Sequence, residues 1–120
     1  MKTDLKDRTF HFSLDVIDLV EQLPKTKATN VIAYQLIKSG TSVGANYRAA
    51  KRSRSDKEFI SKINIVLEEV DETLFWMEII NHKNWVNSSM LNKMLKEADE
   101  LTAIFISTLK TINNRMKGKI

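Results

Sequence analysis

The chain has 120 residues, enough for one domain to bury a real core without disulfides or metals. Hydrophobic content of 42%, charged content of 28% and a net charge of +4 are those of a globular protein. The absence of Cys excludes a disulfide framework, a thiolate metal site and a cysteine nucleophile. No apolar run approaches the ~20 residues that span a bilayer, and the charged start MKTDLKDRTF lacks the apolar region of a signal peptide. The expected location is cytoplasmic, with no membrane partner. Three Gly and one Pro favour a few long helices over many short strands.

The first helix is expected from about Asp7 to Gln22. It carries two apolar stripes, Phe10, Leu14 and Ile17 on one and Phe12, Val16, Leu19 and Leu23 on the other. One stripe suffices for an outer helix of a monomeric bundle. The second implies burial on another side, in the core or against another subunit, and Phe12, Val16 and Leu19 are the candidate oligomer interface. Pro24 and Lys25-Thr26-Lys27 end this helix.

The second helix, roughly Thr29 to Arg52, organises the rest. Ile32, Leu36, Val43, Tyr47 and Ala50 share one face, while Gly40 and Gly44 each cost roughly 1 kcal/mol against Ala. Only close neighbours keep such a segment helical, and Ser39, Gly40, Gly44, Ala45 and Ala49 are small enough to admit them. Ser55-Asp56-Lys57-Glu58 then reads as a capping box opening the third helix, about Asp56 to Asn81. Its residues Phe59, Ile63, Val66, Val70, Thr73, Met77 and Ile80 alternate by four and three, a bundle seam. A loop at His82-Lys83-Asn84-Trp85-Val86 follows, with Asn87 or Ser88 capping the fourth helix. That helix, about Ser89 to Met116, steps through Leu91, Met94, Ala98, Leu101, Phe105, Thr108, Ile112 and Met116. Four helices with short connections predict an all-α, antiparallel up-and-down four-helix bundle, one domain over residues 1–120.

Charge is segregated along this frame. Residues 48–62 hold six basic and two acidic side chains, and residues 110–120 hold four basic and none acidic; residues 63–109 hold three basic and eight acidic. Such runs are commonly solvated helix faces. The sharper alternative is two phosphate-attracting patches: Arg48, Lys51, Arg52, Arg54 and Lys57, and Lys110, Arg115, Lys117 and Lys119. Trp85, beside Lys83, is the better Trp for an exposed contact, since a Trp within a bundle helix is more often core.

Catalytic chemistry finds little support. A di-metal carboxylate bundle needs two Glu-x-x-His pairs, whereas the chain has only His11 and His82, and Glu78 precedes His82 by four positions. Arg8 and His11 have no evident acid–base partner. No Gly-rich phosphate loop, nucleophile elbow or triad spacing appears. The expectation is a non-enzyme with no metal or cofactor. Buried polar residues are more informative: Gln35, Ser39, Ser42 and Asn46 lie at helical spacing, and Glu72 is expected to meet Asn46 or a Ser hydroxyl in a structural network.

QLIKSGTSVGANYRAAKRSRSDKEFISKI, then LEEVDETLFWMEII and EADELTAIFISTLKT, resemble the 23S rRNA-intervening-sequence protein family from Phe10 to Thr111, most densely over Ser39 to Asn46. The resemblance implies a compact antiparallel four-helix bundle assembling as a ring-like homopentamer, and supplies no catalytic residues. A distantly similar protein is the basic pentameric accessory subunit of diversity-generating retroelements, which binds reverse transcriptase and nucleic acid. Ala49 stands where many members carry an acidic residue, making this stretch more basic.

The reading reached is a non-enzymatic, homo-oligomeric nucleic-acid-binding or scaffold protein, structured RNA being the favoured ligand. The alternative is an adaptor docking a protein such as a reverse transcriptase through apolar residues.

Overall fold

The computed structural model describes residues 4–118 and consists of four helices in chain order. α1 (Leu5–Glu21) is capped by Asp4, whose carboxylate accepts the N–H groups of Lys6 at 3.0 Å and Asp7 at 3.3 Å. α2 (Lys27–Lys51) begins two residues before the expected Thr29. Thr26 and Thr29 form a reciprocal capping box, Thr29 N–H to Thr26 Oγ1 at 3.2 Å and Thr26 N–H to Thr29 Oγ1 at 2.9 Å. A Thr in the position usually held by Glu or Gln concealed this box in the sequence.

α3 (Asp56–Lys83) starts where Ser55 was expected to cap it: Ser55 Oγ accepts the Glu58 N–H at 3.1 Å. The return half differs, because Glu58 Oε1 accepts the N–H of Arg54 at 3.0 Å. α3 also runs two residues past Asn81, so His82 and Lys83 are helical. It ends at Asn84, in the left-handed region at φ 55°, which Asn tolerates better than most residues. α4 (Ser88–Lys117) follows, with Asn87 Oδ1 accepting the Ser89 N–H at 2.8 Å.

The helices pack in sequence, α2 against both α1 and α3, and α3 against α4, in a rod of 54 × 28 × 21 Å. α1 and α4 meet only lightly, joined by Arg8, whose guanidinium spans Glu97 and Glu100. Hydrogen bonding to Glu97 raises the Arg8 pKa and keeps it charged. The core holds most of the expected seams: Leu36, Val43, Tyr47 and Ala50 of α2; Ile63, Val66, Val70, Thr73, Met77 and Ile80 of α3; Leu91, Met94, Ala98, Leu101 and Phe105 of α4. Ile32, Phe59, Thr108, Ile112 and Met116, toward the seam ends, are half-buried. Close approach of α1 and α2 explains Gly40, where a Cβ would lie 2.6 Å from Val16 Cγ2. The Ser13 hydroxyl crosses the same contact, 3.1 Å from the Gly40 carbonyl.

Two expectations are corrected. Phe12, Val16 and Leu19 are 1%, 0% and 0% exposed within a single chain, so they are core and no oligomer interface. The outward stripe of α1 is Phe10, Leu14 and Ile17, exposed by 43%, 41% and 38%. The polar network with Glu72 also fails. Glu72 is exposed and accepts from Trp76 Nε1, one turn on along its own helix, at 3.2 Å. Ser42 donates to the Lys38 carbonyl and Asn46 to the Ser42 carbonyl, both within α2, and Gln35 is half-buried. A buried hydroxyl pair crosses between α2 and α3: Thr73 Oγ1 donates to Ser39 Oγ at 2.9 Å. The seam residue Thr73 takes the role assigned to Glu72, because a hydroxyl is cheaper to bury than a carboxylate.

Candidate nucleic-acid interface

Up-and-down connectivity puts the end of α2, the start of α3 and the end of α4 at one pole of the rod. The sequence separates the two basic runs by some fifty residues, but the fold joins them. Lys51 and Arg52 are exposed at the end of α2, Arg54 in the turn, and Lys57 in the first turn of α3. Lys110, Arg115 and Lys117 are exposed on the last turns of α4. Arg115 bridges the two groups by a 2.7 Å ion pair to Asp56. Lys119 lies outside the described residues.

Arg48 stands apart from the pole. It is exposed one turn earlier on α2, with its guanidinium 5.3 Å from the centroid of the Phe10 ring. A cation over an aromatic face in this range is attracted by the ring quadrupole. Arg48 thereby borders a second surface, a groove between α1 and α2 lined by Phe10, Leu14, Ile17, Gly44 and Ala45. Toward the start of α2, Val31, Tyr34 and Ile37 are exposed by 61%, 65% and 37%, extending its outward apolar surface.

Between the basic helix ends lies a cleft of about 340 Å³. Ala50, Phe59 and Ile112 give it apolar side chains, and Lys51, Arg54, Arg115, Asp56, Ser53 and Ser55 give it polar ones. Ser53 Oγ is the single buried side-chain oxygen or nitrogen among the described residues without a hydrogen-bond partner. Charge counting along the sequence finds the cations of this pole. It misses Ser53, Phe59 and Ile112, whose shared surface exists only once three helix ends meet, and it misses the counter-charge that Asp56 presents to Arg115.

Trp85 is half-buried against the core, with Lys83 Nζ 5.9 Å from its ring centroid, so it is only partly the exposed contact expected. Among the described residues no group of three or more His, Asp or Glu side chains is placed to hold a metal ion, and no helix is long and apolar enough to cross a membrane.

Comparison with known proteins agrees with this architecture. No curated protein matches the chain. A crystallised protein of unknown function from the S23 ribosomal protein family of Bacteroides thetaiotaomicron is similar at 30% identity and a TM-score of 0.82, over 89% of this chain and 99% of that one. The model of the 23S rRNA-intervening sequence protein family matches residues 1–107, which takes in α1, α2, α3 and two-thirds of α4. The four sequential helices and this near-complete match together establish that the chain belongs to the 23S rRNA-intervening sequence protein family.

Proposed function

We propose that this protein is a non-enzymatic, homo-oligomeric nucleic-acid-binding protein that holds structured RNA against its basic pole. One observation carries the reading: cations from two distant sequence runs gather at one end of the rod, whereas α3 and the middle of α4 carry most of the acidic residues. An RNA backbone drawn to that end meets Lys51, Arg52, Arg54, Lys57, Lys110 and Lys117, all exposed. Contacts of this kind neutralise phosphates and release counterions, so affinity falls steeply with salt and depends little on sequence. Their action is binding and positioning, and the proposed setting is the cytoplasm.

The exposed stripe Phe10, Leu14 and Ile17 favours self-association on the α1–α2 face, and the family resemblance suggests a pentamer. Rotational symmetry would repeat each basic pole once per subunit and strengthen RNA binding by avidity. The same apolar face supports the second reading, an adaptor for a protein partner such as a reverse transcriptase. Salt separates the two, since apolar docking survives moderate salt.

Fluorescence anisotropy with a structured rRNA fragment across a salt series tests the reading. Wild type is expected to bind at low salt and to lose at least tenfold in affinity between about 50 and 200 mM salt. Arg52→Glu/Lys57→Glu is expected to abolish binding while retaining the helical circular dichroism of wild type. Absence of binding by wild type at low salt contradicts it.

A further inference from the structure

We infer that the cleft at the basic pole is a subsite for a phosphate monoester, such as the one that ends a nucleic-acid strand. The inference rests on the RNA-binding reading and narrows it from backbone attraction to recognition of a particular group.

Three observations converge on that group. The first is charge. The cleft is lined by three cations, Lys51, Arg54 and Arg115, and one anion, Asp56, a net charge of +2. A phosphate monoester carries about −1.5 to −2 at neutral pH, whereas an internal phosphodiester carries a single negative charge. The cleft is therefore better matched to a strand end than to the backbone that surrounds it.

The second is the orphan hydroxyl. Ser53 Oγ is buried with no hydrogen-bond partner, although its backbone N–H is held by the Ala50 carbonyl at 3.0 Å. A buried hydroxyl left unpaired carries an uncompensated desolvation cost. Ser53 lines the cleft beside two Arg residues; its hydroxyl, shielded from solvent in the free chain, would turn into the cleft to donate to a phosphate oxygen, an acceptor suited to both types of donor. The Arg115–Asp56 ion pair leaves Arg115 available: its side chain is 54% exposed, and exposed pairs contribute little to stability.

The third is the cleft's mixed lining. Phe59, Ala50 and Ile112 supply apolar surface next to the cations. A terminal nucleotide has the same two-part character, a charged phosphate and a ring with an apolar face, and aromatic side chains accept bases of any sequence. A volume of about 340 Å³ lies at the small end of the range for ligand pockets.

The test uses the full chain and two hairpin RNAs identical except for a 5′-phosphate or a 5′-hydroxyl, with inorganic phosphate titrated separately and followed by amide chemical shifts. The 5′-phosphate hairpin is expected to bind about tenfold more tightly, as a charge-assisted set of hydrogen bonds provides. That ratio is expected to fall below about twofold in Ser53→Ala/Arg115→Gln. Ser53→Ala removes an unsatisfied hydroxyl and Arg115 is exposed, so the variant keeps its fold; Arg54→Gln is an independent second probe of the ratio. Equal affinity of wild type for the two hairpins overturns the subsite and leaves the basic-pole reading standing. Shifts at Ser53 to Lys57 with inorganic phosphate, without binding of either hairpin, uphold the phosphate subsite for a free phosphate ester and overturn the RNA reading. Absence of shifts with inorganic phosphate, together with no binding of either hairpin, overturns both.

Discussion

At Gly40 a methyl group would lie 2.6 and 2.8 Å from the two Cγ atoms of Val16, a fully buried β-branched side chain with little freedom to turn away. Alanine gains about 1 kcal/mol of helix propensity there, but forcing α1 from α2 costs about 1–3 kcal/mol. Gly40→Ala is therefore expected to lower the urea midpoint, and Val16→Ala in the same chain to recover part of the loss; a higher midpoint for Gly40→Ala alone contradicts the close contact. Glu69 provides a pH test. Burial raises its carboxyl pKa, with Glu72 and Glu68 adding and Lys38 opposing. The folded chain thus holds this proton to higher pH than the unfolded chain, so ionisation costs stability, fully at neutral pH and progressively less as pH falls through the folded pKa. Glu69→Gln is expected to be more stable than wild type at pH 7 and to lose that advantage by about pH 3 in thermal melts. An advantage independent of pH contradicts it. Small residues at Ser39, Gly40 and Gly44 made the tight contact legible in the sequence, because little else explains Gly within a helix. The partner of Ser39 was not legible. Spacing puts both Glu72 and Thr73 near α2, and only the rotation of α3 about its axis decides which faces inward.

Among the elements, the seams of α2, α3 and α4 were legible because each has one dominant apolar stripe, and the core follows it closely. α1 was ambiguous because it has two. Its inward stripe runs unbroken from Phe12 through Leu23, whereas the other reaches Glu21 after Ile17. That difference in length is the signal that distinguishes core from surface. The exposed stripe makes a definite prediction for assembly. Leu14→Glu/Ile17→Glu is expected to shift the sedimentation coefficient from that of an oligomer toward a single 13.8 kDa chain, with helicity preserved. An unchanged coefficient contradicts self-association through this stripe. Helix ends were legible where standard capping residues stand, at Ser55 and Asn87, and less so at Thr26, where Thr replaces the expected acid or amide. The α3 terminus lies two residues beyond Asn81, where the apolar pattern ends, because Asn84, the left-handed residue that stops the helix, follows His82 and Lys83.

For the molecule as a whole, the topology turns two basic segments of sequence into one pole. The segregation of charge was visible along the chain; its joining required knowing that α2 ends where α4 ends. The cleft was hidden for the same reason, since Ser53, Phe59 and Ile112 come from three different elements. The acidic residues of α3 and α4 complete an asymmetric field along a rod of 54 Å, which would orient a polyanion before contact. The most direct measurement of this claim is RNA affinity at low salt in two variants with the same change in net charge. Arg52→Glu/Lys57→Glu reverses charge at the pole, and Lys93→Glu/Lys96→Glu reverses it in the first half of α4. Loss of at least tenfold in affinity for the first variant, with less than about threefold for the second, is the result expected if phosphates are held at the pole. Equal losses in the two would show that net charge alone governs binding, and would contradict a localised RNA interface.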